Sequence, residues 1–253
     1  MQTLIDQLRT ALSNRPYSCA PSGLYSAQTL YAGFNPSEPE SMATCFDIQV
    51  YDHYMNTGKG RAESEEEALA RVLHDHVIYQ ALCEFLDQYE KRKVVGIMGG
   101  HGISRTSDAF RDVVILSKQL TESGSLMISG GGPGAMEATH LGAWLAGRSM
   151  NDVEEALRML SVAPAFTDPN WLSSAFNVIN LFPQSEYRSL SIPTWLYGHE
   201  PSTPFATHIA KLFDNSIRED TILTVAYGGI VYTPGSAGTT QEIFQEITQN
   251  HYL

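Results

Sequence analysis

The sequence predicts an α/β fold, a parallel sheet flanked by helices, preceded by a mostly helical N-terminal extension. Three observations carry this expectation. From Lys93 onward, short apolar runs alternate with amphipathic stretches, the pattern of successive βα units. Three of those runs end in glycine, at Gly99-Gly100, at Gly130-Gly131-Gly132 and at Gly235. Before them, the stretch from Glu63 to Tyr89 repeats apolar residues at helical spacing.

Residues 1 to about 62 are rich in Ser, Tyr, Pro and Asn, and only short alternating runs such as CFDIQVYDHY (Cys45 to Tyr54) suggest strands. In the helix from Glu63 to Tyr89, the apolar stripe is Leu69, Val72, Leu73, Val77, Leu82, Phe85 and Leu86. Glu65, Glu66 and Glu67 near its start and Lys91, Arg92 and Lys93 after its end both complement the helix dipole. This helix bridges an N-terminal extension, residues 1–90, to a Rossmann-like nucleotide-binding domain, residues 91–253. There KVVGIMGG reads as a buried parallel strand and SDAFRDVVILSKQLTESG as a helix with a glycine stop. SLMISGGGPGAMEATHLGAWLAG reads as strand, glycine turn and helix, and SIPTWLYG and GGIVYTPG are further strand candidates. In sheets of this kind ligands bind beyond the carboxyl ends of the strands.

Composition narrows the function. The chain has 253 residues, 43% hydrophobic and 17% charged, which suits a globular protein. Sixteen basic residues against 28 acidic leave a formal charge of −12. An acidic surface repels phosphate backbones, so a nucleic acid polymer is not an expected partner. A small phosphorylated ligand is compatible, because backbone N–H groups and an arginine or two can hold it locally. Cys19, Cys45 and Cys83 form no CxxC pair, which argues against a disulfide framework and a zinc ribbon. The N-terminus has no apolar core of signal-peptide type, and no apolar run nears the ~20 residues of a membrane span. A cytoplasmic protein without membrane contact is expected.

The turn in SGGGPGAMEA (Ser129 to Ala138) lets a ligand approach backbone closely at a helix start, where the dipole favours an anion. Three such turns at one sheet edge point to a phosphate or nucleotide site. Gly130, Gly132 and Ala135 also fit G-x-G-x-x-A. The acidic partner about 20 positions on would be Asp152 or Glu154, in a polar helical stretch. No turn carries the Gly-Lys-Ser/Thr of a P-loop, which argues against an ATPase.

In YTPGSAGTTQEIFQE (Tyr232 to Glu246), Pro234 and Gly235 end a strand, and Gly235 to Thr240 can turn N–H groups and two hydroxyls toward one anion. Glu242 is expected in the first turn of the following helix, ionised beside that anion, with a dipole-complementing role as the alternative. Ile243, Phe244 and Ile247 share a face of that helix.

Together GGGPGAMEA and PGSAGTTQE resemble the paired motifs of the LOG family, the cytokinin-activating nucleoside 5′-monophosphate phosphoribohydrolases, GGGxxGxM followed by PGGxGTxxE. The resemblance covers about residues 93 to 250. It implies a hydrolase that splits the N-glycosidic bond of an AMP-like nucleoside monophosphate into free base and ribose 5-phosphate, without a cofactor, as a homodimer or higher homo-oligomer. It assigns nucleotide binding to Gly99 and Gly100, to Gly131, Gly132, Gly134 and Glu137, and to Gly235, Ser236, Gly238, Thr239 and Thr240. Glu242 takes the catalytic carboxylate role. Ser236 stands where the family has glycine, which requires a negative φ or a hydroxyl within the phosphate site. The family's catalytic arginine belongs to an Arg-Lys pair; here NSIRED supplies Arg218 instead, with Arg105 the next candidate if Arg218 faces outward. The family continues with at least one more strand and helix, so the domain is expected to be cut short at its C-terminal end.

Other readings use the same turns. A non-catalytic carrier or sensor of a nucleotide-like ligand would keep Arg218 and Glu242 as a structural pair. A dinucleotide-dependent oxidoreductase is weaker, and a pyridoxal phosphate decarboxylase weakest, since no lysine sits in a suitable pocket motif. No metal is expected: His74 and His76 are on different helix faces, and His199-Glu200 lacks HExxH spacing. His101 follows a glycine turn and could touch a ligand, although a structural role is the plainer expectation.

Overall fold

A computed structural model describes residues 4–252. The N-terminal region carries α1 (Leu4–Ala11), the short α2 (Ala27–Leu30), α3 (Phe46–Asn56) and the long α4 (Glu65–Leu86). There follow β1 (Val94–Met98), α5 (Asp108–Glu122), β2 (Leu126–Ser129), α6 (Ala135–Trp144), α7 (Met150–Leu160) and α8 (Trp171–Leu181). The chain then runs through β3 (Ser189–Ser191), β4 (His208–Ile209), α9 (Asn215–Val225), β5 (Ile230–Tyr232) and α10 (Ala237–Tyr252). The five strands form one parallel sheet in the order β4-β3-β2-β1-β5. The fold is the predicted α/β class with a Rossmann-like sheet.

From β1 the chain steps outward through β2 and β3 to β4, then returns by α9 to place β5 on the other side of β1. The strand order therefore reverses between β1 and β5, where such sheets open a crevice beyond their carboxyl ends. Met98 is opposite Tyr232, so the turns leaving β1 and β5 start side by side.

Pleating splits the strand residues between two cores. Val95, Ile97 and Met127 face a cluster built by α5, α6, α7 and α8. Val94, Met98, Leu126 and Ile128 face a second cluster. That cluster contains Leu30, Val50, Ile78 and Leu82 from the N-terminal region together with Trp195, Leu212 and Phe213. Residues on both sides of position 90 thus share one core. The main chains of Tyr25 and Ile209 also exchange hydrogen bonds of 2.9 Å, seating the N-terminal segment against β4.

Two expectations about this region are corrected. CFDIQVYDHY forms helix α3, not strand: its buried positions Cys45, Asp47, Val50 and Tyr54 recur at two to four residues and suit a helix face. In α4 the helix is as expected, with the Ser64 hydroxyl accepting from the Glu67 N–H at its start, but the buried face coincides with the apolar stripe only toward its end, at Leu82 and Phe85. Leu69 is 47% and Val72 67% exposed, whereas Glu67, Arg71, His74 and Asp75 are buried with Ile78, Leu82 and Phe85. Each buried charge there has partners, which is the condition for tolerating it. Glu67 accepts from Arg15, Tyr17 and Arg71 at 2.7, 3.0 and 2.8 Å. Asp75 accepts from the N–H groups of Phe213 and Asp214 and lies 2.8 Å from His74 Nδ1.

SIPTWLYG contributes only Ser191 to β3 and then turns into a short 3-10 helix, Trp195–Tyr197. On α10 the expected face is open: Phe244 is 65% and Ile247 58% exposed.

Candidate functional site

The turns after β1, β2 and β5 meet at the β1–β5 crevice. Gly100 N–H donates to Pro234 O at 3.0 Å, and Ala135 N–H donates to Gly100 O at 3.2 Å. A Cβ on Gly99 would lie 1.8 Å from Thr233 Oγ1, and one on Gly100 3.3 Å from Gly235 Cα. Gly134 precedes α6 at φ 67°, and a Cβ there would be 2.3 Å from Gly100 O. Gly99, Gly100 and Gly134 therefore allow the turns to pack on one another; that packing accounts for them without a ligand.

The turn after β5 is the open one. Pro234 to Gly238 are exposed, and α10 begins at Ala237. Among the described residues the N–H groups from Gly235 to Thr239 have no protein acceptor; the next, on Thr240, donates to Ser236 O at 3.1 Å. Such a run of unpaired donors at a helix start suits an anion. Ser236 meets its condition, since Lys59 is the one non-glycine with positive φ among the described residues. Thr239 is buried, with Oγ1 2.0 Å from the Cβ position of Gly235, while the Thr240 hydroxyl donates back to Ser236 O at 3.2 Å.

The turn after β2 differs from expectation. Its glycines are buried, and two of their N–H groups are already used. Gly131 donates to Ser129 Oγ at 3.1 Å and Gly132 to the Met136 thioether at 3.4 Å. Ser129 Oγ is 2.8 Å from His140 Nε2, whose Nδ1 is 2.9 Å from Ser189 Oγ. Burial alone pushes the His140 ring down to about 3, so it is neutral at ordinary pH.

Glu137 is a correction. It is fully buried, with one oxygen 3.0 Å from Arg105 Nε and the other 2.5 Å from Nη2. Arg105 Nη1 donates to Ala163 O, Trp171 O and Ser174 Oγ, and its guanidinium lies 4.5 Å from the Trp171 ring centroid. This pair locks the loop after β1 to α6 and the start of α8. Neither member presents a free group to the crevice, which also removes Arg105 as the reserve cation.

Arg218 turns inward from α9. Its Nε donates to Ile192 O at 3.1 Å, and its Nη2 is 2.1 Å from where a Cβ on Gly130 would be. Burial lowers its pKa; the negative field of Glu242, then Glu219, Tyr197 and Glu200, acts the other way. It forms no ion pair within 4.0 Å among the described residues, and Glu219 is engaged instead by Asn215 and Gln241.

Glu242 is in the second turn of α10, not the first, because the helix starts at Ala237. Its carboxyl pKa is raised, again against expectation: burial outweighs the attraction of Arg218, and Glu219 adds to the rise. The dipole argument fails because the half-buried position has moved past the first turn, where that effect is concentrated.

Sequence reasoning missed Glu200 as a site residue. It follows the 3-10 helix beyond β3, and its Oε1 is 3.4 Å from His101 Nδ1 and 3.8 Å from His199 Nε2. Its Oε2 is 3.6 Å from the Cβ position of Gly132. The available signal was its place just after a strand candidate ending at the ligand-binding edge. Its loop is braced from beneath by the N-terminal region: Tyr31 donates to Ser202 O, and Lys211 binds both Ser202 Oγ and the buried Asp47. The next residue, Thr203, donates its N–H to Gly131 O at 2.8 Å.

A cavity of about 520 Å³ lies elsewhere, between α3, α4 and the start of α9, lined by Tyr54, Arg71, Tyr79 and Phe213. Among the described residues no group of three or more His, Cys, Asp and Glu is arranged to hold a metal ion. No helix among them is long and apolar enough to cross a membrane. No family model matches the chain, and no curated protein matches it either.

Proposed function

We propose that the protein hydrolyses the N-glycosidic bond of a nucleoside 5′-monophosphate, releasing the base and ribose 5-phosphate, as its resemblance to the LOG family implies. One observation carries the reading. The unpaired N–H groups from Gly235 to Thr239 are at the strand-order reversal, and they lead into the helix that carries a half-buried carboxylate within the field of the half-buried Arg218. The N–H run would take the 5′-phosphate. Glu242 would face the sugar, stabilising positive charge at C1′ and accepting a proton from the attacking water, as carboxylates do in glycoside cleavage. A raised pKa suits proton acceptance better than a strongly acidic carboxylate would. Arg218 would orient Glu242 and the ribose.

Incubation with a panel of nucleoside monophosphates, followed by chromatography, tests the reading. Free base should form from monophosphates and far less from the nucleosides. Equal release from adenosine and AMP would remove the phosphate cradle from the account. Binding without any release would favour the carrier or sensor reading instead.

A further inference from the structure

We propose that His101 is the general acid of this site, protonating the departing base, and that Glu200 is the positioning residue that fixes its ring. The inference rests on the hydrolase reading above. Cleavage of the C1′–N bond sends its electron pair onto the base, and a neutral base leaves more easily than its anion. A proton must therefore reach a ring nitrogen as the bond breaks. The balance is then complete. The oxygen of water joins C1′, its proton passes to Glu242 and on to solvent, and the His101 proton ends on the base. His101 is reprotonated from solvent, and the products are free base and ribose 5-phosphate.

The placement supports this role. His101 adjoins Gly100, which contacts both Pro234 O and Gly235, so it begins one residue from the turn with the unpaired N–H run. Its Nδ1 faces Glu200 Oε1 at 3.4 Å, and the other oxygen of Glu200 reaches toward Gly132. The pair thus extends from the β1–β5 crevice to the β2 turn. Among the described residues Nε2 has no protein partner, and the side chain is 49% exposed. By contrast, His140 and His74 are buried with both ring nitrogens engaged. Phe166 supports the His101 ring edge-on, with centroids 6.0 Å apart. Other titratable groups around Glu200 are His199, Tyr197 and Arg218, so His199 is the necessary control.

A leaving-group comparison tests the proposal. Wild type, His101→Asn, Glu200→Gln and His199→Asn are assayed on AMP and on p-nitrophenyl β-ribofuranoside 5-phosphate, whose leaving group needs no proton. His101→Asn should lower kcat on AMP by about 10²–10⁴, the range of a lost general acid, and lower it by a much smaller factor on the nitrophenyl substrate. It should also abolish the alkaline limb of the kcat profile. Glu200→Gln should move that limb while leaving KM unchanged. Equal losses on both substrates, no loss on either, or a selective loss only in His199→Asn would overturn the assignment while leaving the hydrolase reading intact. If wild type releases no base from any monophosphate, the hydrolase reading falls and this inference with it. Thermal melts establish that each variant is folded.

Discussion

Replacing Glu137 with glutamine separates a buried lock from a ligand group. The side chain keeps its shape but loses its charge, and its amide nitrogen turns donor against donor toward Arg105. Arg105 retains its bonds to Ala163 O, Trp171 O and Ser174 Oγ, so it stays in place as an uncompensated cation. The two side chains are 1% and 0% exposed, so water cannot screen the loss. Breaking a buried pair by removing one partner costs about 3–5 kcal/mol. At roughly 2–4 °C per kcal/mol for a chain of this size, the Tm of Glu137→Gln should fall by about 6–20 °C. Urea unfolding at neutral pH gives the free energy directly, and calorimetry with AMP gives the affinity. The double variant Arg105→Met/Glu137→Leu should recover much of the loss, because it leaves no buried charge. A destabilisation below about 1 kcal/mol, well under the cost of a broken buried pair, together with lost AMP affinity, would refute the reasoning and return Glu137 to the ligand site.

Three further outcomes are expected. Glu242→Gln should cut turnover of AMP by about 10²–10⁴ with affinity little changed, the range for a lost acid–base or charge-stabilising group; early unfolding with poor binding would make it a structural residue. Arg218→Lys should impair turnover nearly as much as Arg218→Ala, because lysine lacks the planar fork that can hold Ile192 O and face Glu242 together; full activity in Arg218→Lys would reject an orienting role. His140 provides a pH signature: its folded pKa of about 3 lies below the ordinary imidazole value of 6.5, so the unfolded chain binds the extra proton between them. Its contribution is complete above about pH 6.5 and is lost as pH falls toward 3, so His140→Gln should flatten the acid slope of urea stability between pH 7 and 5. An unchanged slope would contradict a neutral buried ring.

Local pattern was sufficient for several elements. The run KVVGIMGG has to be a strand covered on both faces, and β1 is buried along its length. The helices α5 and α6 and the glycine turns between them and their strands were legible for the same reason: strand period, helix period and turn chemistry are properties of adjacent residues. The alternating look of CFDIQVYDHY misled because a short amphipathic run fits both periods, and packing against Trp195 and Phe213 chose the helix. The two-residue β4 gave no readable period at all.

For the site, the sequence by itself determined which turns were glycine-rich, that they lay at strand ends, and that Arg218 and Glu242 were chemically suitable. Tertiary structure alone decided which donors are free. In the β2 turn they go to Ser129 and Met136, while in the β5 turn they remain unpaired. It also withdrew Glu137 into a pair with Arg105 and brought Glu200 to His101 across a long stretch of chain. The polar face of α4 is buried for a related reason: Glu67 and Asp75 find partners in Arg15 and in the main chain of Phe213 and Asp214. Periodicity records how neighbours along the chain share a face. Whether a charge can be buried, or a donor left open, depends on groups brought from distant positions, and only the fold supplies them.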